Sequence, residues 1–206
     1  KPGTEPEKLQ GGVAGGTLMK GILKLGEIVE IRPGIPQKVQ DKYVSVTPIY
    51  SRIISLKAEE NDLIYAIPGG LIGVGLKIDP FLTRGNRLVG KLLGHPGKLP
   101  DVYVSIIVKS YLLSRVIGLR GDKGMVHIGE IRVGEVLLVN AGSTAVGSTV
   151  KEINGDNNEI ITFTLAFPIC CEANEKVSIS RKIGHSWRLI GWGEILPGGK
   201  TIPNNY

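Results

Sequence analysis

The fold class this sequence predicts is all-β, arranged as two consecutive β-barrels, and three observations predict it. Gly occurs 29 times and Pro 12 times in 206 residues, which interrupts the chain too often for long helices and suits short strands between turns. Two glycine-punctuated apolar segments, GGVAGGTLMKGILKLGEIVEIRPG from Gly11 to Gly34 and KVSISRKIGHSWRLIGWGEILPGG from Lys176 to Gly199, read as barrel hairpins. Val102, Val104, Ile106 and Val108 alternate with Tyr103, Ser105 and Ile107, the period of a strand with one face on a core.

In chain order, Thr17 to Leu25 and Glu27 to Arg32 are expected to form a hairpin around Gly26, with a bulge or close backbone approach at Gly21. Val44 to Leu56 is β-branched and is expected to bend or run at an edge at Pro48. Leu63 to Ile67, Leu71 to Lys77 and Arg87 to Leu93 complete a first barrel, separated by PGG at Pro68 and a polar turn from Asp79 to Asn86. GHPGKLP, from Gly94 to Pro100, reads as a connector, so the predicted domains are 1–97 and 98–206. After the strand at 102–108, Tyr111 to Leu119 is read as strand followed by loop. Further strands follow at Val126 to Ile131, Glu135 to Val139, Ser148 to Ile153, Glu159 to Leu165, Lys176 to Arg181 and Trp187 to Ile195, with a turn at Asn154 to Asn158.

Composition narrows the function classes. The hydrophobic fraction of 42% and charged fraction of 21% fit a folded domain, and no apolar run approaches the roughly 18 residues that cross a bilayer. With no secretory signal in view, a soluble, cytoplasmic protein without membrane partners is expected. A net charge of +6 and a pI near 9.3 bias the surface toward phosphates. The basic residues are dispersed except for Arg181, Lys182, His185 and Arg188, which read equally as a solvated face or a phosphate-facing patch. Cys170 and Cys171 are sequence neighbours and read as reduced, packed thiols.

No catalytic, cofactor or metal signature is visible. GGVAGG at Gly11 to Gly16 lacks the Lys of a phosphate-binding loop, and Gly73 with Gly75 lacks the third glycine of a dinucleotide fingerprint. His95, His127 and His185 stand apart without ligand spacing. Glu59, Glu60 and Asp62 read as a solvated loop rather than general acids, and no GxSxG elbow occurs. Trp187 and Trp192 read first as anchors of a core or barrel end, with a base-stacking platform the less favoured alternative.

The segments GGVAGGTLMKGILKLGEIVEIRPG, YAIPGGLIGVGLKIDP, RLVGKLLGHPGKLP and HSWRLIGWGEI together resemble domains II and III of the gamma-subunit family of eukaryotic and archaeal translation initiation factor 2. The hairpin glycines are shared with all translational GTPases of the elongation factor Tu type, whereas PGGLIGVGLKIDP and WRLIGWG are narrower.

The resemblance implies two barrels behind a GTPase domain, with GTP and Mg held in that missing domain and no enzyme activity in this chain. It also implies a strand of domain II ahead of Lys1, hence a fragment with an incomplete first barrel and an unpaired edge. The implied partners are the alpha and beta subunits, methionyl initiator tRNA, the small ribosomal subunit and an assembly chaperone of the cell-division-cycle type.

Carried onto this chain, Gly69, Gly70, Gly73, Gly75, Lys77, Asp79 and Arg84 are the candidates for the tRNA acceptor-end wall in a domain that also docks the alpha subunit. Arg181, Lys182 and Arg188 are candidates for RNA or partner contact. Alternatives are another translational GTPase, such as an elongation or selenocysteine-specific factor, and a stand-alone β-barrel enzyme.

Overall fold

The computed structural model describes residues 11–121, 124–155 and 159–204. Among the described residues the regular elements are strands and two short 3-10 turns, so the all-β expectation holds. The strands are β1 (Gly12–Leu18), β2 (Leu23–Lys24), β3 (Ile28–Val39), β4 (Lys42–Ala58), β5 (Asn61–Asp62), β6 (Tyr65–Ala66), β7 (Gly69–Leu76) and β8 (Leu92–Gly94). They continue as β9 (Val102–Leu112), β10 (Arg115–Gly121), β11 (Gly124–His127), β12 (Val136–Ala141), β13 (Thr144–Asn154), β14 (Ile160–Cys170), β15 (Lys176–Ile183) and β16 (Ser186–Thr201).

Packing divides the chain into two units. Residues 11–31, 49–89 and 93–99 form the first, and residues 32–48, 90–92 and 100–204 the second. The sheet of the early strands has the order β1-β7-β4-β3-β8, with β5 on β4 and a separate β2-β6 ribbon. Its core gathers Val29, Ile31, Ile53, Leu56, Val74 and Leu76. Alternation along β4 explains the choice of face, since Ile53 is buried while Arg52 and Ile54 beside it are exposed.

In the second unit β12-β13-β14-β9-β16-β15 close into an antiparallel barrel, which leaves no unpaired edge in that sheet. Ile106, Val108, Leu137, Val139, Phe163 and Ile179 are fully enclosed in its core, each contributing about 1.5–3 kcal/mol relative to exposure. A smaller cluster of Val46, Val102 and Ile202 joins the tip of the β3-β4 hairpin to this unit. There Arg32 Nη1 donates to the Pro100 carbonyl at 3.0 Å and Lys91 Nζ to the Gly34 carbonyl at 2.6 Å. Burial holds the Lys91 ammonium below the usual lysine pKa.

Several predicted elements are corrected. Thr17 to Leu25 is not one strand, because β1 ends at Leu18 and Gly21 turns the chain at φ +78° before the short β2. The expected hairpin with Glu27 to Arg32 does not form, since β1 pairs with β7 and β2 with β6. Apolar alternation marks the faces of a strand but not its partner.

Pro48 does not break β4, which runs through it for 17 residues. Gly34 on β3, at φ +71°, lies so close that a Cβ would stand 2.1 Å from the Thr47 carbonyl oxygen.

Arg87 to Leu93 is mostly turn, with only Leu92–Gly94 extended. Strand β10 (Arg115–Gly121) begins where a loop was expected, and β11 ends at His127, short of Ile131. The predicted turn at Asn154 to Asn158 falls partly on residues 156–158, which lie outside the described residues. Cys170 and Cys171 are free and buried, and burial pushes both thiols up to about 12.

Candidate nucleic-acid interface

In the first unit the predicted glycines serve different ends. Gly69 and Gly70 take φ +131° and +45° where β7 begins, conformations that side chains resist, and nothing lies within 4 Å of where a Cβ would stand. Gly75 instead permits close packing, since its Cβ would meet Ser55 Oγ at 2.1 Å. Gly73 has ordinary room, with Val13 Cγ1 at 3.8 Å.

Beyond β7 the chain leaves the sheet in a compact polar loop. Lys77 keeps its backbone tied to Arg52, N to O at 3.0 Å, while its side chain is exposed. Asp79 is committed to folding: its Oδ1 accepts the Phe81 N–H at 2.9 Å and so caps the 3-10 turn Pro80–Leu82. Thr83 Oγ1 donates to the Pro80 carbonyl at 2.9 Å, and its side chain lies against Gly12 of β1.

This anchoring fixes the loop from which Arg84 reaches solvent. Arg87, which the sequence reading missed, lies with its guanidinium 3.5 Å from the centroid of the exposed Phe81 ring. The loop therefore presents Lys77, Arg84 and Arg87 as exposed cations, with its one carboxylate turned to its own backbone.

In the second unit Arg181, Lys182, His185 and Arg188 come together on the β15-β16 hairpin, where Arg181 faces Arg188 and Lys182 faces Trp187. Gly184, at φ +60°, lets the two strands join through only Gly184 and His185. Facing arginines repel, and Glu135 offsets that repulsion. Arg181 Nε donates to Glu135 Oε1 at 2.6 Å and Nη2 to Oε2 at 3.1 Å, a two-point contact. The same guanidinium donates to the Gly129 and Glu130 carbonyls, both at 2.9 Å.

Arg181 is thus a brace between β15 and the segment leading into β12. Lys182 is exposed, and Arg188 is half-buried with its Nε lacking a protein partner.

Neither tryptophan anchors a core, Trp187 being 42% and Trp192 40% exposed on β16. Trp192 stacks on Tyr111 with centroids 4.4 Å apart and planes at 20°. The surrounding glycines explain this, because Gly191 and Gly193 bring the β9 backbone close and a Cβ on either would stand 2.6 Å from a β9 carbonyl oxygen. Tyr111 was hidden in an ambiguous apolar run, so alternation alone gave no signal for the pair.

Among the described residues no group of three or more His, Cys, Asp or Glu side chains is placed to hold a metal ion. No helix among them is long and apolar enough to cross a membrane.

The profile of the family described as "Initiation factor eIF2 gamma, C terminal" matches residues 104–195, a span that includes most of the closed barrel. The chain is 49% identical over 204 residues to "Eukaryotic translation initiation factor 2 subunit 3" of Drosophila melanogaster, covering 98% of this chain and 42% of that protein. It is 48% identical over 203 residues to "Eukaryotic translation initiation factor 2 subunit gamma" of Schizosaccharomyces pombe, covering 98% of this chain and 45% of that protein.

The chain thus spans less than half the length of these curated relatives. With an all-β fold containing a closed barrel and almost half its residues shared with initiation factor 2 subunits along nearly its whole length, the chain belongs to the eukaryotic initiation factor 2 gamma family and matches its C-terminal portion.

Proposed function

We propose that this chain is the barrel part of a translation initiation factor, a binding platform that engages methionyl initiator tRNA and the alpha subunit, while a separate domain binds GTP and Mg. The observation that carries this reading is the 77–87 loop, which exposes Lys77, Arg84 and Arg87 from a fixed backbone and spends its only carboxylate on a cap. Such cations offer charge-assisted bonds to the phosphates of an acceptor end. Gly69 and Gly70 leave the start of β7 without side-chain bulk, so RNA can approach the backbone there.

Docking of the alpha subunit is assigned to the apolar surface around β2 and β6, where Met19, Ile64 and Leu71 are 79%, 75% and 72% exposed. The pairings of Thr17 with Leu71 and Lys24 with Tyr65 gather this end of the first unit. Exposed large apolar side chains near one another offer a protein partner apolar surface to bury. In the second unit Lys182 and Arg188 are the RNA-facing or partner-facing groups, with Arg181 holding their hairpin in place.

The beta subunit, the small ribosomal subunit and an assembly chaperone of the cell-division-cycle type complete the set of partners, in the cytoplasm. The functional division of the chain follows residues 1–97 and 98–206. The test is initiator tRNA binding by the intact factor carrying Lys77→Ala and Arg84→Ala together. A loss of about tenfold or more is expected, each charge-assisted contact being worth roughly 1.5–3 kcal/mol when formed. Unchanged affinity removes this loop from the acceptor-end site.

A further inference from the structure

We propose that the outer face of the second barrel carries a stacking site for one unpaired, phosphate-bearing RNA nucleotide, walled by Trp192 and flanked by Lys176. Cross-strand register builds the site: Asn140 on β12 faces Ser178 on β15, Ser178 faces Trp192 on β16, and Trp192 faces Tyr111 on β9. Tyr111 covers one face of the indole. Trp192 also lines a recess of about 460 Å³ together with Asn140, Gly142, Lys176, Val177 and Ser178.

The chemistry of the lining selects the occupant. An aromatic wall already held upright by a second ring loses little rotamer freedom when a planar group stacks on it. Lys176 Nζ lies over the indole, 5.6 Å from its centroid, and Lys109 Nζ over the Tyr111 ring at 5.9 Å, so a base that stacks on Trp192 displaces the Lys176 ammonium from the ring, and the displaced ammonium can take the phosphate. The same ammonium groups repel an arginine side chain, the other common planar partner of a tryptophan.

Asn140 and Ser178 supply a donor and acceptors for a base edge. Two carboxylates lie near: Glu194 faces both Lys176 and Lys109 across the sheet, and Glu175 Oε1 stands beside Gly142 while Oε2 accepts the Glu172 N–H. Glu175 can accept from an exocyclic amino group of the base.

The site lies in the second unit and stands independently of the acceptor-end assignment to the 77–87 loop. Its test uses the full chain and the fluorescence anisotropy of an end-labelled single-stranded RNA octamer. Trp192→Leu is expected to weaken binding by roughly 5- to 100-fold, the range of one stacked base, and Trp192→Phe to recover part of it. Ser178→Phe fills the recess without altering the indole and is expected to produce the same loss, which keeps the idea testable should Trp192→Leu fold poorly.

Adenosine 5′-monophosphate is expected to compete with the octamer while ribose 5-phosphate and an RNA duplex do not. Octamer binding by Trp192→Leu and by Ser178→Phe that matches the parent chain, or competition by ribose 5-phosphate equal to that of the nucleotide, overturns the proposal. Competition by an acidic peptide but not by nucleotides overturns it equally, by assigning the recess to a protein.

Discussion

At the residue scale, Arg181 shows how one side chain can look like a ligand contact in sequence and act as a brace in the fold. Its basic neighbours were legible as a cluster, but its counter-ion Glu135 lies 46 residues away, and no local pattern reports a contact of that separation. Both side chains are largely buried, at 18% and 24% exposure, so solvent screens the pair less than a surface one.

Replacing Arg181 with Met keeps the length of the stem but leaves two carbonyls without their donor and Glu135 with only the Arg132 N–H. A destabilisation of about 1.5–3 kcal/mol is expected, the worth of hydrogen bonds to a charged group, read as a lower urea midpoint of the full chain. Glu135→Gln in the Arg181→Met background should then cost little more, because the two residues act as a pair. Additive losses would show that the contact is not what holds this hairpin.

At the element scale, β16 explains why WRLIGWG has its spacing. Gly191 and Gly193 face β9 where a Cβ would press on the Tyr111 and Lys109 carbonyl oxygens, each at 2.6 Å, whereas Trp192 between them projects outward onto Tyr111. Gly193→Ala should therefore strain the β9-β16 pairing and destabilise the barrel by about 1–3 kcal/mol. Gly15→Ala, where nothing lies within 4 Å, should stay within about 0.5 kcal/mol of the parent.

Parallel thermal melts of the two variants decide the matter, and equal melting temperatures would refute the close-approach account. The same scale shows what alternation could not supply. It located β9 and β15 closely, yet missed that β1 seeks β7 and that β4 runs through Pro48. Partner choice and proline tolerance depend on the strand alongside.

At the scale of the whole molecule, the surplus of +6 makes counter-ion release the expected driving term of the tRNA binding proposed above. Binding of initiator tRNA by the intact factor should weaken linearly in log salt, with a slope of roughly 0.7 to 0.9 per phosphate neutralised. Removing Lys77 and Arg84 together should lower that slope by about two contacts, and an unchanged slope would place those charges away from the RNA.

Local chemistry determined the strand-rich class, because glycine and proline spacing limits helices and side-chain alternation selects a buried face. It also determined the membership of the family, through segments such as YAIPGGLIGVGLKIDP and WRLIGWG. Tertiary structure alone decided that Arg181 is spent on Glu135 and that Trp192 stands outward against Tyr111. Both depend on residues distant in sequence, 46 apart for Arg181 and Glu135, and composition and periodicity do not encode contacts of that separation.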